Sequence, residues 1–397
     1  MSTTGVPALP GWSRPPHLVV DLRGAPGSVS WRLPDTGPAA APIPCVVLAD
    51  RAGCAEFAVL QETLHRLGVP SVRVDAESVT SLRLSTEVAG AGPDPAAHDA
   101  AGRAPAAGGR ACGVLDLDGR RIAPTVVWAR HFSPRAMPVT PGAARALLRA
   151  ESWDAFVRQL SSLAPVSLPG NRPGRLEQLA GAAAAGIRVP RTVVTTRPAE
   201  AAAAMPDGKV VVKVVGEHFV ETAPGLLTGI FPEITSRAEL LRRPALDYPV
   251  IVQEHVEHDA ELRVYHVAGD VHGYAVGKRA PDSPWREEAG VTVTAVAVPP
   301  AAADAVRRLA NLWGLTYGAF DLLLSAGDVV FLEVNADGDW RWFETKAGGR
   351  AVSTAAALAA RTLHLAALGD AGPPPPLELV DFLLLDTRTA RTAGSGR

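Results

Sequence analysis

Lysine is scarce in this chain of 397 residues: of 39 basic residues only Lys209, Lys213, Lys278 and Lys346 are lysine. In so arginine-rich a sequence, a surviving lysine gains weight as a residue whose role arginine does not fill. Cysteine is equally sparse. Cys45, Cys54 and Cys112 show neither a paired metal spacing nor a secreted disulfide pattern. No charge of one sign dominates, and a formal net charge of -2 argues against a general nucleic-acid or membrane-surface binder. No apolar run reaches transmembrane length, and the N-terminus lacks the apolar core of a signal peptide, so the cytoplasm is the expected location. The G-x-G-x-x-G dinucleotide pattern is missing around Gly53.

Apolar residues are plentiful, at 47% with a mean hydropathy of +0.11, which suits a globular protein. The length exceeds one typical core and predicts about two or three domains. Residues 1–42 are rich in Pro, Gly and Ser and read as a flexible extension, or as a small hairpin of His17–Asp21 with Ser28–Leu33. From Ile43 the pattern is strand, amphipathic helix (Glu56–Leu67) and strand, a β-α-β unit whose apolar strands predict a buried parallel sheet. Residues 90–110 form a low-complexity Ala/Gly/Pro insertion. The expected division is an N-terminal α/β domain over 43–140, a linking helix over 141–170, a central subdomain over 171–252 and a C-terminal one over 253–370. A tail over 371–397 follows, in which Leu377–Leu385 could dock.

The stretch that carries most chemistry is Phe320–Glu344, FDLLLSAGDVVFLEVNADGDWRWFE. It reads as two apolar strands joined by a tight turn at Ser325–Asp328. With Ala326–Asp328 as the loop, Asp321 falls opposite Glu333, and Asn335 shares the face of Glu333. Like charges paired across strands repel. Two carboxylates with an amide oxygen therefore predict a hard oxygen site suited to Mg²⁺. An edge hairpin with a wet polar face is the alternative, and the apolar flanks weigh against it.

Several segments, in order across roughly 171–368, resemble the ATP-grasp superfamily: the lysine strand VVVKVV, the hinge VIVQEHV, the strand ELRVYHV, and the hairpin FDLLLS…FLEVN. The following GDWRWFE is similar to the N-x-x-G-x-W-x-W-x-E signature of graspetide synthetases, the ATP-grasp maturases of omega-ester and omega-amide ribosomal peptides. VVWARHFSP loosely matches their VWYRRP-like segment. The resemblance implies a mixed α/β and α+β architecture: an ATP-grasp fold with an N-terminal parallel α/β, pre-ATP-grasp, domain. It implies ATP and Mg²⁺ as cofactors and a precursor peptide, a leader plus a Thr/Glu-rich core, as substrate. It implies no nucleic acid and no membrane partner, and it is compatible with a homo-oligomer.

By that resemblance Lys213 contacts the α- and β-phosphates; an unpaired lysine between buried valines would otherwise be costly. Gln253, Glu254, His255 and Val256 would hold adenine through main-chain groups, with Glu257 or Asp259 near the ribose; an ordinary solvated turn competes for these acids. Glu261 and Arg263 match the family's [DE]-x-R, placing Arg263 at the transferred phosphoryl group, although a salt bridge to Glu261 or Glu254 would also explain its charge. Asp321, Glu333 and Asn335 match the metal ligands. Lys278, Arg279 and Arg286 would bind the carboxylate or its phosphate, or form a solvated loop. Arg175 stands where the family usually has lysine, and the lid between Val215 and Ile230 is poor in glycine. His218 in that lid reads as incidental. Trp340, Trp342 and Glu344 would line the peptide side, with core packing preferred for Trp342. His255, His258 and Glu344 are the candidates for the base.

Three functions follow: a peptide macrocyclase or side-chain ligase, a ligase for free amino acids or for adding glutamate to a protein end, and a nucleotide-binding regulator that has lost ligation. The intact metal triad argues against the third.

Overall fold

A computed structural model describes residues 18–23, 27–34, 41–87, 113–137, 142–279 and 290–369. The insertion over 90–110, Cys112, Arg286 and the tail from 371 lie outside them. The chain forms two compact units, 1–25 with 169–355, and 26–168 with 356–397.

The second of these contains the predicted β-α-β. Strand Ile43–Asp50 runs parallel to Ser71–Asp75 on one side and to Arg120–Ala129 on the other, with helix Ala55–Arg66 between the first two in sequence. Cys45, Val47, Val72, Leu115 and Val127 are buried together in its core. Helix Ala143–Leu160, expected as a linker, contributes Val157 and Leu160 to the same core, and Val166–Leu168 extends the sheet beside Arg120–Ala129. The early hairpin does not form. Val29–Arg32 pairs with Ser71–Asp75, whereas Leu18–Asp21 pairs with Leu226–Gly229 in the other unit's fold.

That other unit holds two antiparallel sheets that matter for the site. In one, Lys209–Val214 lies between Glu233–Ser236 and Val250–Glu254, with Thr192–Thr195 beyond. Alternation sends Val210, Val212, Val250 and Val252 into an apolar core and leaves Val211, Lys213, Ile251 and Gln253 on the opposite face. In the second, the order is Val291–Val296, Asp270–Lys278, Ala260–Val267, Tyr317–Ser325, Asp328–Asn335. Helix Pro300–Trp313 covers one face, ended by Gly314 in the left-handed conformation at φ 62. Its Val306, Leu309 and Trp313 pack on Leu262, Val264, Phe320, Leu322, Phe331 and Val334. Burial of each large side chain there contributes about 1.5–3 kcal/mol. The other face of the same strands is left to Arg263, Asp321 and Glu333.

Candidate active site

The hairpin delivers the predicted pairing by a different route. Ala326 and Gly327 alone form the turn, at φ 52 and 88, so Ser325 pairs with Asp328. Two consecutive positive φ values are what the tight hairpin turn that suits strand twist requires. This register, continued, would put Leu332 opposite Asp321. A bulge between Asp321 and Leu322 shifts it by one residue, and Glu333 becomes the partner of Asp321. Bulges commonly re-aim side chains in this way beside functional sites. Asn335 pairs with Ala319, and its Nδ2 donates to Asp321 Oδ2 at 3.3 Å.

The like-charge problem is solved by the chain's own cations. Arg263 sits across the ladder from Asp321, and its Nη1 donates to both carboxylate oxygens at 2.8 and 2.7 Å. Lys213 Nζ lies 3.4 Å from Glu333 Oε2 and Arg175 Nε 3.7 Å from the same atom. His218 Nε2 lies 3.4 Å from Glu333 Oε1. Burial pushes the Glu333 carboxyl up, but Lys213, His218 and Arg175 outweigh it and hold that group well below the usual range. Burial and the neighbouring Glu333 charge push Asp321 up against the pull of Arg263. The cation that the paired carboxylates were expected to need is supplied, in this structure, by the protein's own Arg263, Lys213 and Arg175. Three full positive charges, Arg263, Lys213 and Arg175, face two carboxylates. The excess favours an anion.

On the same hairpin Leu323 and Val330 form a small buried apolar cluster with Val256, and Leu332 packs against it. Hinge residues are tied to the hairpin: Asp259 Oδ2 accepts from Ala326 N at 3.0 Å, and Ser325 Oγ donates to the Glu257 carbonyl at 2.7 Å. Gln253 Nε2 donates to Thr192 Oγ1 at 2.9 Å, and Glu254 Oε2 accepts from Arg191 N at 3.1 Å. Asp259 and Glu254 are thus engaged in fixing the hinge. His255 Nδ1 lies 3.5 Å from Glu257 Oε1, and His258 Nδ1 2.9 Å from the Val256 carbonyl. Lys278 Nζ pairs with Glu261 Oε2 at 2.6 Å, while Arg279 is exposed at the end of its strand.

Trp340 and Glu344 are not on an open surface. Trp340 is 1% and Glu344 5% exposed. Ser353 accepts from Trp340 Nε1 at 3.0 Å and donates its N to Glu344 Oε1 at 2.7 Å and its Oγ to Oε2. Both residues hold the start of helix Ala351–Ala367, a packing and capping role. Trp342 is half-buried against Phe343, with Lys346 over its ring at 5.4 Å. Gly338, in the same signature, is required by space: a Cβ there would lie 2.4 Å from Ala319 Cβ and 3.1 Å from Arg263 Nη2. Arg263 is further boxed in by the Tyr265 and Phe343 rings at 5.6 and 5.3 Å.

Two further side chains shape the site, one without a sequence signal and one that reads from sequence as incidental. Gln178, on helix Arg175–Ala184, clamps the strand that carries Glu333: its Oε1 accepts from Val334 N at 2.9 Å and its Nε2 donates to Val334 O at 3.0 Å. A glutamine on a helix carries no sequence signal of that kind. His218 was visible as a loop histidine, but only the fold puts it on Glu333.

Oxygen donors of the right chemistry for a hard cation, Asp321, Glu333 and the Asn335 carboxamide, share one face. Among the described residues no cluster of three His, Cys, Asp or Glu side chains exists, so such a site depends on the amide. Arg263 Nε is buried without a hydrogen-bond partner and is a further donor for an anion.

No protein-family model and no curated protein matches the chain. Solved structures do. The macrocyclase MdnC bound with precursor peptide MdnA, from Microcystis aeruginosa MRC, is 17% identical, with a TM-score of 0.59 over 79% of this chain and 98% of that one. The ATP-grasp ligase PsnB, complexed with a phosphomimetic variant of its minimal precursor, Mg and ADP, is 19% identical, with a TM-score of 0.58 over 81% and 99%. A Chryseobacterium gregarium RiPP-associated ATP-grasp ligase, in complex with ADP and a leader and core peptide, is 19% identical, with a TM-score of 0.59 over 79% and 96%. The chain has the ATP-grasp fold of these proteins.

Proposed function

We propose that the chain is an ADP-forming ligase that joins a side-chain carboxylate to a hydroxyl or amine within a ribosomally made precursor peptide. The observation that carries this reading is the excess of buried cations over carboxylates on a hairpin that also carries a buried apolar cluster. Val256, Leu323 and Val330 suit a flat base, and Lys213 and Arg175 suit its phosphates. The peptide substrates of the similar structures support the choice of acceptor.

In this reading Lys213 and Arg175 turn from Glu333 to the polyphosphate. That frees Glu333, which with Asp321 and the Asn335 carboxamide on the same face would hold Mg²⁺; the metal would neutralise phosphate charge. Arg263, anchored on Asp321 with Nε still free, faces the transferred phosphoryl group. Lys278 and Arg279 lie toward the substrate carboxylate. A carboxylate oxygen attacks the γ-phosphorus as the bond to ADP breaks. A hydroxyl or amine then attacks the acyl carbon, loses its proton, and phosphate leaves with one former carboxylate oxygen.

The test is incubation with ATP, Mg²⁺ and a short peptide rich in Thr and Glu or Asp encoded beside the gene, read by intact mass. Loss of one water per ring is expected. An unchanged peptide, with ADP released on free amino acids instead, would replace this reading with a small-substrate ligase.

A further inference from the structure

The segment that the resemblance makes the phosphate lid is not a free hairpin. Phe219–Ala223 and Leu226–Gly229 form its two strands, and Leu18–Asp21 joins as a third, giving the order Leu18–Asp21, Leu226–Gly229, Phe219–Ala223. Four residue pairs are in register, from Leu18 with Gly229 to Asp21 with Leu226. Beyond the ladder, Leu22 N donates to the Gly225 carbonyl at 2.7 Å. The chain passes so close to the turn that a Cβ on Gly225, itself at φ 75, would lie 3.0 Å from Arg23 N. Arg23 Nη2 in turn holds Asp21 Oδ2 at 2.6 Å.

The first strand of this hairpin has little to hold it, whereas Leu226–Gly229 is half-buried to buried. Four of the five residues in Phe219–Ala223 are exposed, and its pairing is irregular between Glu221 and Ala223. Two-stranded hairpins without a core are marginal in water, and a third strand supplies the missing backbone partners. At its base the lid reaches the chemistry. Ile230 N donates to the His218 carbonyl at 2.6 Å, and His218 Nε2 lies 3.4 Å from Glu333 Oε1. A continuous set of contacts thus runs from Leu18–Arg23 through the lid to the carboxylate that Lys213 and Arg175 also hold.

We propose that Leu18–Arg23 is a positioning segment of the nucleotide site: as the third strand of the lid it sets His218 against Glu333 and orders the lid for nucleotide. The inference rests on the proposed nucleotide-dependent reading, and the experiment separates the two. Proline lacks the N–H that a ladder needs, so the full chain carrying Val19→Pro with Val20→Pro removes the pairing whichever residue donates. Hydrogen exchange without nucleotide should quicken over 219–229 and stay unchanged over 317–335. The KM for ATP should rise on the order of tenfold, as expected for loss of one to two net hydrogen bonds, with kcat changed less. Unchanged exchange over 219–229 overturns the proposal. Faster exchange there, when the unmutated parent itself binds no ATP, keeps the strand's role and overturns the nucleotide reading instead. Should the double variant unfold throughout, Gly225→Ala displaces Arg23 from the turn side and must give the same local exchange pattern.

Discussion

Replacing Glu333 by glutamine separates the ion-pairing role seen for this carboxylate from the metal-binding role proposed for it. In the free protein it balances Lys213 at 3.4 Å and Arg175 at 3.7 Å. Removing one partner of a buried ion pair commonly costs about 3–5 kcal/mol, because the other charge is left uncompensated. E333Q should therefore unfold at lower temperature than the parent when no nucleotide is present. A polyphosphate supplies the missing negative charge. The variant should then bind Mg²⁺-free ADP at least as tightly as the parent. A charge at about 4 Å with an effective dielectric near 20 interacts by roughly 4 kcal/mol, so even partial transfer of that attraction is a tenfold effect or more. Saturating ADP should recover much of the lost thermal stability by mass action. Mg²⁺-dependent turnover should be lost, since a neutral amide replaces the carboxylate proposed to hold the metal. Thermal unfolding with and without ADP and calorimetric titration with and without Mg²⁺ read the first three outcomes, and a product assay reads the fourth. Equal weakening of ADP binding with and without Mg²⁺ would refute the reasoning, because Lys213 and Arg175 would then not be facing phosphate.

Three further outcomes are expected. Gly338→Val forces a side chain against Ala319 and Arg263; denaturant titration should show a loss of about 1–3 kcal/mol from overpacking, and kcat should fall with the displaced guanidinium. Gln178→Leu leaves the Val334 amide and carbonyl buried without partners; unfolding should come about 2–4 kcal/mol earlier, and an unchanged stability would remove the clamp from the account. Asp50, in the parallel sheet unit, has its pKa raised by burial to about 6 from 3.8. The folded state then holds a proton the unfolded chain releases, so this group's contribution makes stability fall as pH rises from about 4 to 6 and level off above. Asp50→Asn should lack that component when parent and variant are compared across the window by thermal unfolding; identical slopes would contradict it.

Elements with strong periodicity were legible. Helix Pro300–Trp313 follows its proline start and glycine stop, and the valine strand with Lys213 alternates as its sequence requires. The Asp321–Glu333 pairing was legible for an incomplete reason. Counting back from a three-residue loop reaches the same partner as a two-residue turn plus a bulge, and the apolar run Phe331-Leu332 hides which of the two occurs. The hairpin's charge balance was not legible, because Arg175, Lys213, His218 and Arg263 come from four separate segments. Leu18–Asp21 failed as a local hairpin because its partner lies some two hundred residues on, and short strands carry no mark of their distant neighbour. Trp340 and Glu344 show the reverse error: a motif match drew them toward substrate, while Ser353 consumes their polar atoms.

The central claim is that a peptide carboxylate is activated as an acyl phosphate. Its most direct measurement uses a precursor whose acidic side chains carry ¹⁸O, incubated with the protein, ATP and Mg²⁺. The account predicts that the phosphate released carries one ¹⁸O for every ring formed, with ADP as the nucleotide product. Ring formation with unlabelled phosphate, or with AMP and pyrophosphate, would contradict it.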